Sequence, residues 1–162
     1  MMTPALIIRV YRDSDHDSVV KLNAYGLAAA GVPVDVDAYA GDLDNITTTY
    51  LTGRATMLIG DLDDQVIAMG ALRPLNDATC EITRMRVDPS AQGRGYGKQI
   101  LAALEAHAVD FGYDTAVLLT GPDQHPAIDL YKAAGYTITS VENHGDIPGV
   151  RMRRRLLPQD GF

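Results

Sequence analysis

The segment of this sequence best suited to chemistry is Gln92-Gly93-Arg94-Gly95-Tyr96-Gly97-Lys98. Its closely spaced glycines let the backbone curve tightly and bring its amides close to a ligand without Cβ contacts. Arg94 and Lys98 add positive charge within the same turn. A helical pattern follows at once: Gly97, Leu101, Leu104, Ala108 and Phe111 recur at steps of four and three. Unpaired N–H groups point outward at a helix start, and the helix dipole favours negative charge there. The chemistry expected is capture of a phosphate or pyrophosphate.

Three anion loops compete. A Walker loop needs G-x-x-x-x-G-K-[ST], but Gln92 stands where its first glycine belongs and Gln99 where its Ser/Thr belongs. A Rossmann fingerprint, G-x-G-x-x-G, fails because the third glycine comes one position early and Lys98 takes its place. The pattern Q-x-x-G-x-G is met by Gln92, Gly95 and Gly97. A loop that only caps a helix is the plain structural alternative.

The elements that must position this loop read as follows. Residues 5–12 are rich in strand formers. Capping oxygens at 13–17 start a helix that ends at Gly31 and Pro33. Residues 35–51 suggest a second helix, weakened by Thr47, Thr48 and Thr49. A hairpin, 56–60 and 65–72, turns at Asp61–Asp64. Residues 79–87 form a central strand, and Gly112 closes the helix after the loop. A short strand at 115–120 precedes a helix that begins near Pro126 and stops at Gly135. Strands at 136–141 and 150–157 close the order, giving one mixed α/β domain over residues 1–162.

The loop is similar to the pyrophosphate loop of the GNAT N-acyltransferase superfamily, which binds coenzyme A. Glu81-Ile-Thr-Arg84-Met-Arg-Val87 resembles the family's fourth strand. Ala127-Ile-Asp-Leu-Tyr131-Lys-Ala-Ala-Gly135-Tyr136 resembles its second signature, in the expected order and separation. One departure is that Gln124 and His125 occupy the region where many relatives carry an asparagine. The resemblance implies a mostly antiparallel, splayed sheet of about seven strands flanked by about four helices, split between its fourth and fifth strands. Acetyl-CoA would enter the split as co-substrate. Its pantetheine arm would pair with the backbone of Met85, Arg86 and Val87, and its pyrophosphate would meet the amides of Gly93, Arg94, Gly95, Tyr96, Gly97 and Lys98, with Gln92 opening the loop. The implied reaction is attack of a primary amine on the thioester.

Two proton transfers follow. The amine must be neutral, although a lysine-type amine has a pKa near ~10.4 and an α-amine near ~7.7–8.0. The departing thiolate needs a proton, and Tyr131 stands where the family commonly has a tyrosine for that purpose; packing on its helix is the plainer role. Glu81, on the strand of the pantetheine contacts, is the candidate base, with an ion pair, to Arg84 for example, as the alternative. Alternation places Glu81, Thr83, Met85 and Val87 on one face unless a bulge shifts the phase. The Val87 N–H could polarise the thioester carbonyl.

Composition narrows the setting. Hydrophobic residues form 46% of the 162-residue chain and charged residues 22%, which suits a packed core. The net charge of −7 disfavours nucleic acid and anionic membranes and mildly favours a cationic acceptor. No run is apolar enough to span a bilayer, and no signal-peptide pattern opens the sequence. Cys80 stands alone and fits a reducing, cytoplasmic setting as a buried thiol on the strand face opposite Glu81. The four histidines show no ligand spacing, so no metal is expected. Arg151, Arg153 and Arg155 alternate as on a solvated strand face that resists edge pairing. Tyr25, Tyr39, Asp35 and Asp37 lie where relatives build the acceptor pocket. The expected partner is a small-molecule amine, with a protein N-terminus or lysine as the alternative acceptor. Relatives often form homodimers. A non-catalytic acyl-CoA-binding sensor or subunit is the competing class of function.

Overall fold

The computed structural model describes residues 5–29, 43, 45–122, 124–144 and 147–156. Strand β1 (Ile7–Val10) leads through a short 3-10 turn into α1 (His16–Ala29), and α2 (Ile46–Tyr50) follows. Then come β2 (Thr56–Leu62), β3 (Gln65–Pro74), β4 (Thr79–Val87), α3 (Tyr96–Asp110), β5 (Thr115–Thr120), α4 (His125–Ala133), β6 (Thr137–His144) and β7 (Ile147–Arg155). The strands form one seven-stranded sheet in the order β1-β2-β3-β4-β5-β7-β6. All neighbours are antiparallel except β4 and β5, which run parallel. Parallel neighbours need a crossover, and α3 provides it.

Local chemistry explains several boundaries. The β2–β3 turn is Asp63-Asp64, both left-handed at φ 51 and 65. That conformation matches the twist of a two-residue hairpin, and aspartate tolerates it. Arg9 grips both carboxylate oxygens of Asp15 at 2.7 and 2.8 Å, which fixes the start of α1 against β1. Gly112 and Gly135 end α3 and α4 with φ of 92 and 98.

The sheet has a core on each face. Leu58, Leu72, Cys80, Ile82, Ile100, Leu104 and Tyr131 pack on the side of α3 and α4. Val19, Leu22, Ile46, Tyr50, Met57 and Met69 pack on the side of α1 and α2. Cys80 is fully buried, and burial pushes its thiol up to about 11, as expected for an inert structural thiol.

One expectation is met in its described part, and another is corrected. Of the anticipated helix over 35–51, the described part is helical only at Ile46–Tyr50; residues 35–42, with Asp35, Asp37 and Tyr39, lie outside the described residues, as do Gly31 and Pro33. Strand β7 lies between β5 and β6, so its arginines do not guard an edge. Arg151 instead binds Glu142 at 2.6 Å, and Arg154, on the opposite face, binds Glu105 at 2.8 Å. Among the described residues no helix is long and apolar enough to cross a membrane.

Candidate active site

The site is built around the end of β4. Met69 pairs with Arg86 and Ala71 with Thr83, so Arg84 and Met85 both oppose Gly70. This is a β-bulge, and Arg84 takes a left-handed φ of 57 to make it. Gly70 must be glycine here, because a Cβ would come within 2.6 Å of the Met85 Sδ and 2.8 Å of Ile100 and Leu104 side-chain atoms. The bulge shifts the alternation by one residue. Cys80 and Ile82 share a face with Met85 and Val87, all packed with α3 and α4. The expected face of Glu81, Thr83, Met85 and Val87 is therefore corrected: Glu81 and Met85 lie on opposite sides.

The sheet opens at the same place. β4 pairs with β5 only from Thr79↔Thr115 to Ile82↔Leu118. Beyond Ile82, β4 stays with β3 while β5 stays with β7. The Asp88 N–H bonds to the Ile67 carbonyl, and alternation from that bond turns the backbone groups of Val87 and Met85 toward the gap. Their carbonyls accept from the chain's own side chains, Val87 from Gln92 Nε2 at 3.2 Å and Met85 from Arg86 Nη1 at 2.9 Å. A strand-like ligand pairing here would displace both.

The loop follows directly. Asp88 caps a short 3-10 turn through the Ser90 N–H at 2.9 Å. Gly93 and Gly95 then adopt φ of 79 and 84, which glycine alone takes without strain. The first bond of α3 runs from the Gln99 N–H to the Gly95 carbonyl, so Tyr96, Gly97 and Lys98 keep amides with no intrahelical acceptor. Gln92, Arg94 and Lys98 are exposed around them. Gly97 would place a Cβ 3.6 Å from Val87 and 3.5 Å from Leu130, so the helix start, the strand end and α4 converge. The arrangement can hold an anionic group such as a pyrophosphate beside the mouth of the split.

Tyr131, on α4, belongs to the core against which Met85, Val87 and Tyr96 pack. It is 6% exposed and packs edge-to-face on Tyr136 with ring centroids 5.9 Å apart. Burial pushes its hydroxyl up to about 12, tempered by the positive charge of Arg86. It is both a packed core residue and a protonated donor at neutral pH. Glu81 lies on the other face. Its Oε1 accepts from Arg73 at 2.9 and 2.7 Å, and its Oε2 faces Arg151 at 3.8 Å. The ion-pair alternative for Glu81 is thus found with Arg73 and Arg151, while Arg84, the example named from the sequence, donates to Asn23. His125 is exposed at the start of α4.

Sequence reasoning gave Arg86 only a backbone role and overlooked Asn23. Asn23 is buried on α1, and its Oδ1 accepts from Arg84 Nη1 at 2.9 Å and from Arg86 Nη2 at 3.3 Å. A signal was present. Unbroken alternation would set Arg84 and Arg86 on the same face as Cys80 and Ile82, two arginines in an apolar core. That conflict itself calls for a bulge between Ile82 and Arg86.

Comparison with known proteins agrees with this geometry. The family model described as "Acetyltransferase (GNAT) family" matches residues 33–136. N-acetyltransferase family 8 member 2 of Rattus norvegicus is 29% identical over 103 residues, which cover 60% of this chain and 46% of that protein. The chain thus spans about half the length of that relative. A GNAT family acetyltransferase from Staphylococcus aureus Mu50 superposes with a TM-score of 0.85 at 18% identity, over 94% of this chain and 100% of that one. One from Elizabethkingia anophelis, solved with acetyl-CoA bound, gives 0.71 at 18% identity over 93% and 97%. With a sheet that splits between β4 and β5 and a family match across most of its length, the chain belongs to the GNAT acetyltransferase family.

Proposed function

We propose that this chain transfers an acetyl group from acetyl-CoA to a primary amine by direct attack on the thioester. The observation that carries the reading is a β4 edge left unpaired by β5 beyond Ile82 with the Gln92–Lys98 anion loop directly after it; a buried, protonated Tyr131 in the core beneath Met85 and Val87 supports it. The loop amides and Gly93, Gly95 and Gly97 hold the pyrophosphate. The edge at Met85, Arg86 and Val87 receives the pantetheine arm, and the Val87 N–H polarises the thioester carbonyl. The amine nitrogen bonds to the acetyl carbon, and the carbon–sulfur bond breaks. Tyr131 gives its proton to the departing sulfur and recovers one from solvent. Glu81 accepts the amine proton through water at Oε2, the oxygen left free of the Arg73 fork.

The co-substrate half of the reading is tested by melting. At a CoA concentration about one hundred times its dissociation constant, binding to the native state adds ~2.7 kcal/mol. For a chain of this size that raises Tm by roughly 5–10 °C. CoA and acetyl-CoA are expected to give this shift, and ATP and NAD are not. A melt unmoved by CoA but raised by NAD or ATP contradicts the reading.

A further inference from the structure

The described arginines that make salt bridges meet carboxylates: Arg9 meets Asp15 and Asp61, Arg73 meets Glu81, Arg151 meets Glu142 and Glu81, and Arg154 meets Glu105. Arg86 differs. Among the described residues, its Nη1 and Nη2 contact neutral oxygens, the Met85 carbonyl and the Asn23 carboxamide. Its Nε is buried and finds no acceptor among the described residues. Arg84 adds a second positive charge on the same Asn23 oxygen. Burial and that neighbour lower Arg86 to about 10, which still leaves it cationic at neutral pH. A buried charge held on neutral dipoles alone is costly, and the cost falls when an anion arrives. Arg86 is also within electrostatic reach of the Tyr131 hydroxyl. The charge lies on the face of β4 that meets Asn23 of α1, one residue from the Met85 and Val87 backbone that borders the gap between β4 and β5.

We propose that Arg86, oriented by Asn23 and reinforced by Arg84, binds an anionic group of the acceptor, so that the substrate is a small amine carrying a carboxylate or phosphate near its nitrogen. The proposal rests on the acetyl-transfer reading. A guanidinium offers parallel N–H bonds that match a planar carboxylate or a phosphate edge. The net charge of −7 mildly favours a cation over the whole surface. At this position the nearby charge is of the opposite sign and dominates, because interactions at contact distance in a buried site are screened far less.

The test uses the full chain, acetyl-CoA and matched acceptors: free L-amino acids against their amides, and O-phosphoethanolamine against ethanolamine. An amino acid amide is the more easily deprotonated amine, so a preference for the free acid runs against intrinsic reactivity. The wild-type protein is expected to favour the anionic member of a pair by roughly 10–100-fold in kcat/KM. The carboxylate and phosphate arms show which anion fits. Arg86→Met brings the ratio toward one, and Asn23→Ala lowers it in part, chiefly through KM. Because the readout is a ratio within each protein, a general loss of activity cancels. Equal use of both members by the wild type overturns the proposal while leaving acetyl transfer intact, and it does so even if the variants do not fold. An unchanged ratio in Arg86→Met, with CoA affinity reduced, also overturns it and assigns the guanidinium to CoA. Acetylation of no amine removes the underlying reading and this proposal with it.

Discussion

Tyr131→Phe is expected to lower kcat by about 10²–10⁴-fold, the usual worth of a positioned general acid. Acetyl-CoA affinity is expected to stay close to wild type. Phenylalanine keeps the ring, its edge-to-face contact with Tyr136 and its place in the core, so the substitution isolates the hydroxyl. The pH profile adds a second check. With its pKa raised to about 12 by burial, Tyr131 stays protonated through the ordinary assay range. The wild-type rate should therefore rise with pH as the amine loses its proton, and no fall due to Tyr131 should appear until pH approaches 12. Steady-state rates across pH, with CoA affinity from calorimetry, measure both. A purely structural role for Tyr131 predicts wild-type kcat in the phenylalanine variant.

Gly95→Val is expected to weaken CoA binding by roughly 30-fold or more. The cause is the backbone. Gly95 holds φ 84 and ψ 9 as the N-cap of α3, a left-handed conformation that costs L-residues about 1–2 kcal/mol, and a β-branched residue more. A Cβ there meets nothing within 4 Å, so an unliganded loop accepts the volume but not the dihedral. The loop must rearrange, and its amides no longer converge. Arg94→Ala, at an exposed position, removes one solvent-screened charge and should cost only a few-fold. Calorimetry on both variants, with circular dichroism as the folding control, separates them. Equal losses would show that charge rather than loop shape dominates the site.

The legible parts of this fold are those decided locally. β4 and β5 are found at the residues expected from sequence, 79–87 and 115–120, because each is a strand-forming run bounded by turn signals. The loop, α3 and α4 were equally plain, since glycine, proline and a four-three apolar period mark their ends. Less legible were the features set by distant partners. β6 and β7 extend to His144 and start at Ile147 because they pair with each other, including Asn143↔Pro148, where the sequence pattern alone is weak. The position of β7 inside the sheet is a matter of topology that alternating arginines do not encode.

The site divides in the same way. An anion loop could be read from glycine spacing, because its chemistry is that of the backbone. The places of Tyr131 and Glu81 rested on family resemblance. Their surroundings came only with the fold: Tyr131 in the core against which Met85 and Val87 pack, and Glu81 in a fork of Arg73 from a neighbouring strand. The bulge at Arg84 is decisive, and alternation signals it only through the conflict of two arginines on a core face. It moves Met85 and Val87 to the α3 side and leaves Arg84 and Arg86 facing Asn23. One residue of phase thus determines which side chains can meet an acceptor.

The most direct test of the central claim is a product balance. The full chain is incubated with acetyl-CoA and a broad panel of amines that includes free amino acids, and both the released CoA thiol and the N-acetylated amine are quantified. Acetyl transfer predicts that the two appear in equal amounts for at least one amine, and that Tyr131→Phe slows both together. Tight binding of acetyl-CoA with no acetylated amine and no thiol release across the panel would contradict it, and would leave the chain as an acyl-CoA-binding module without catalysis.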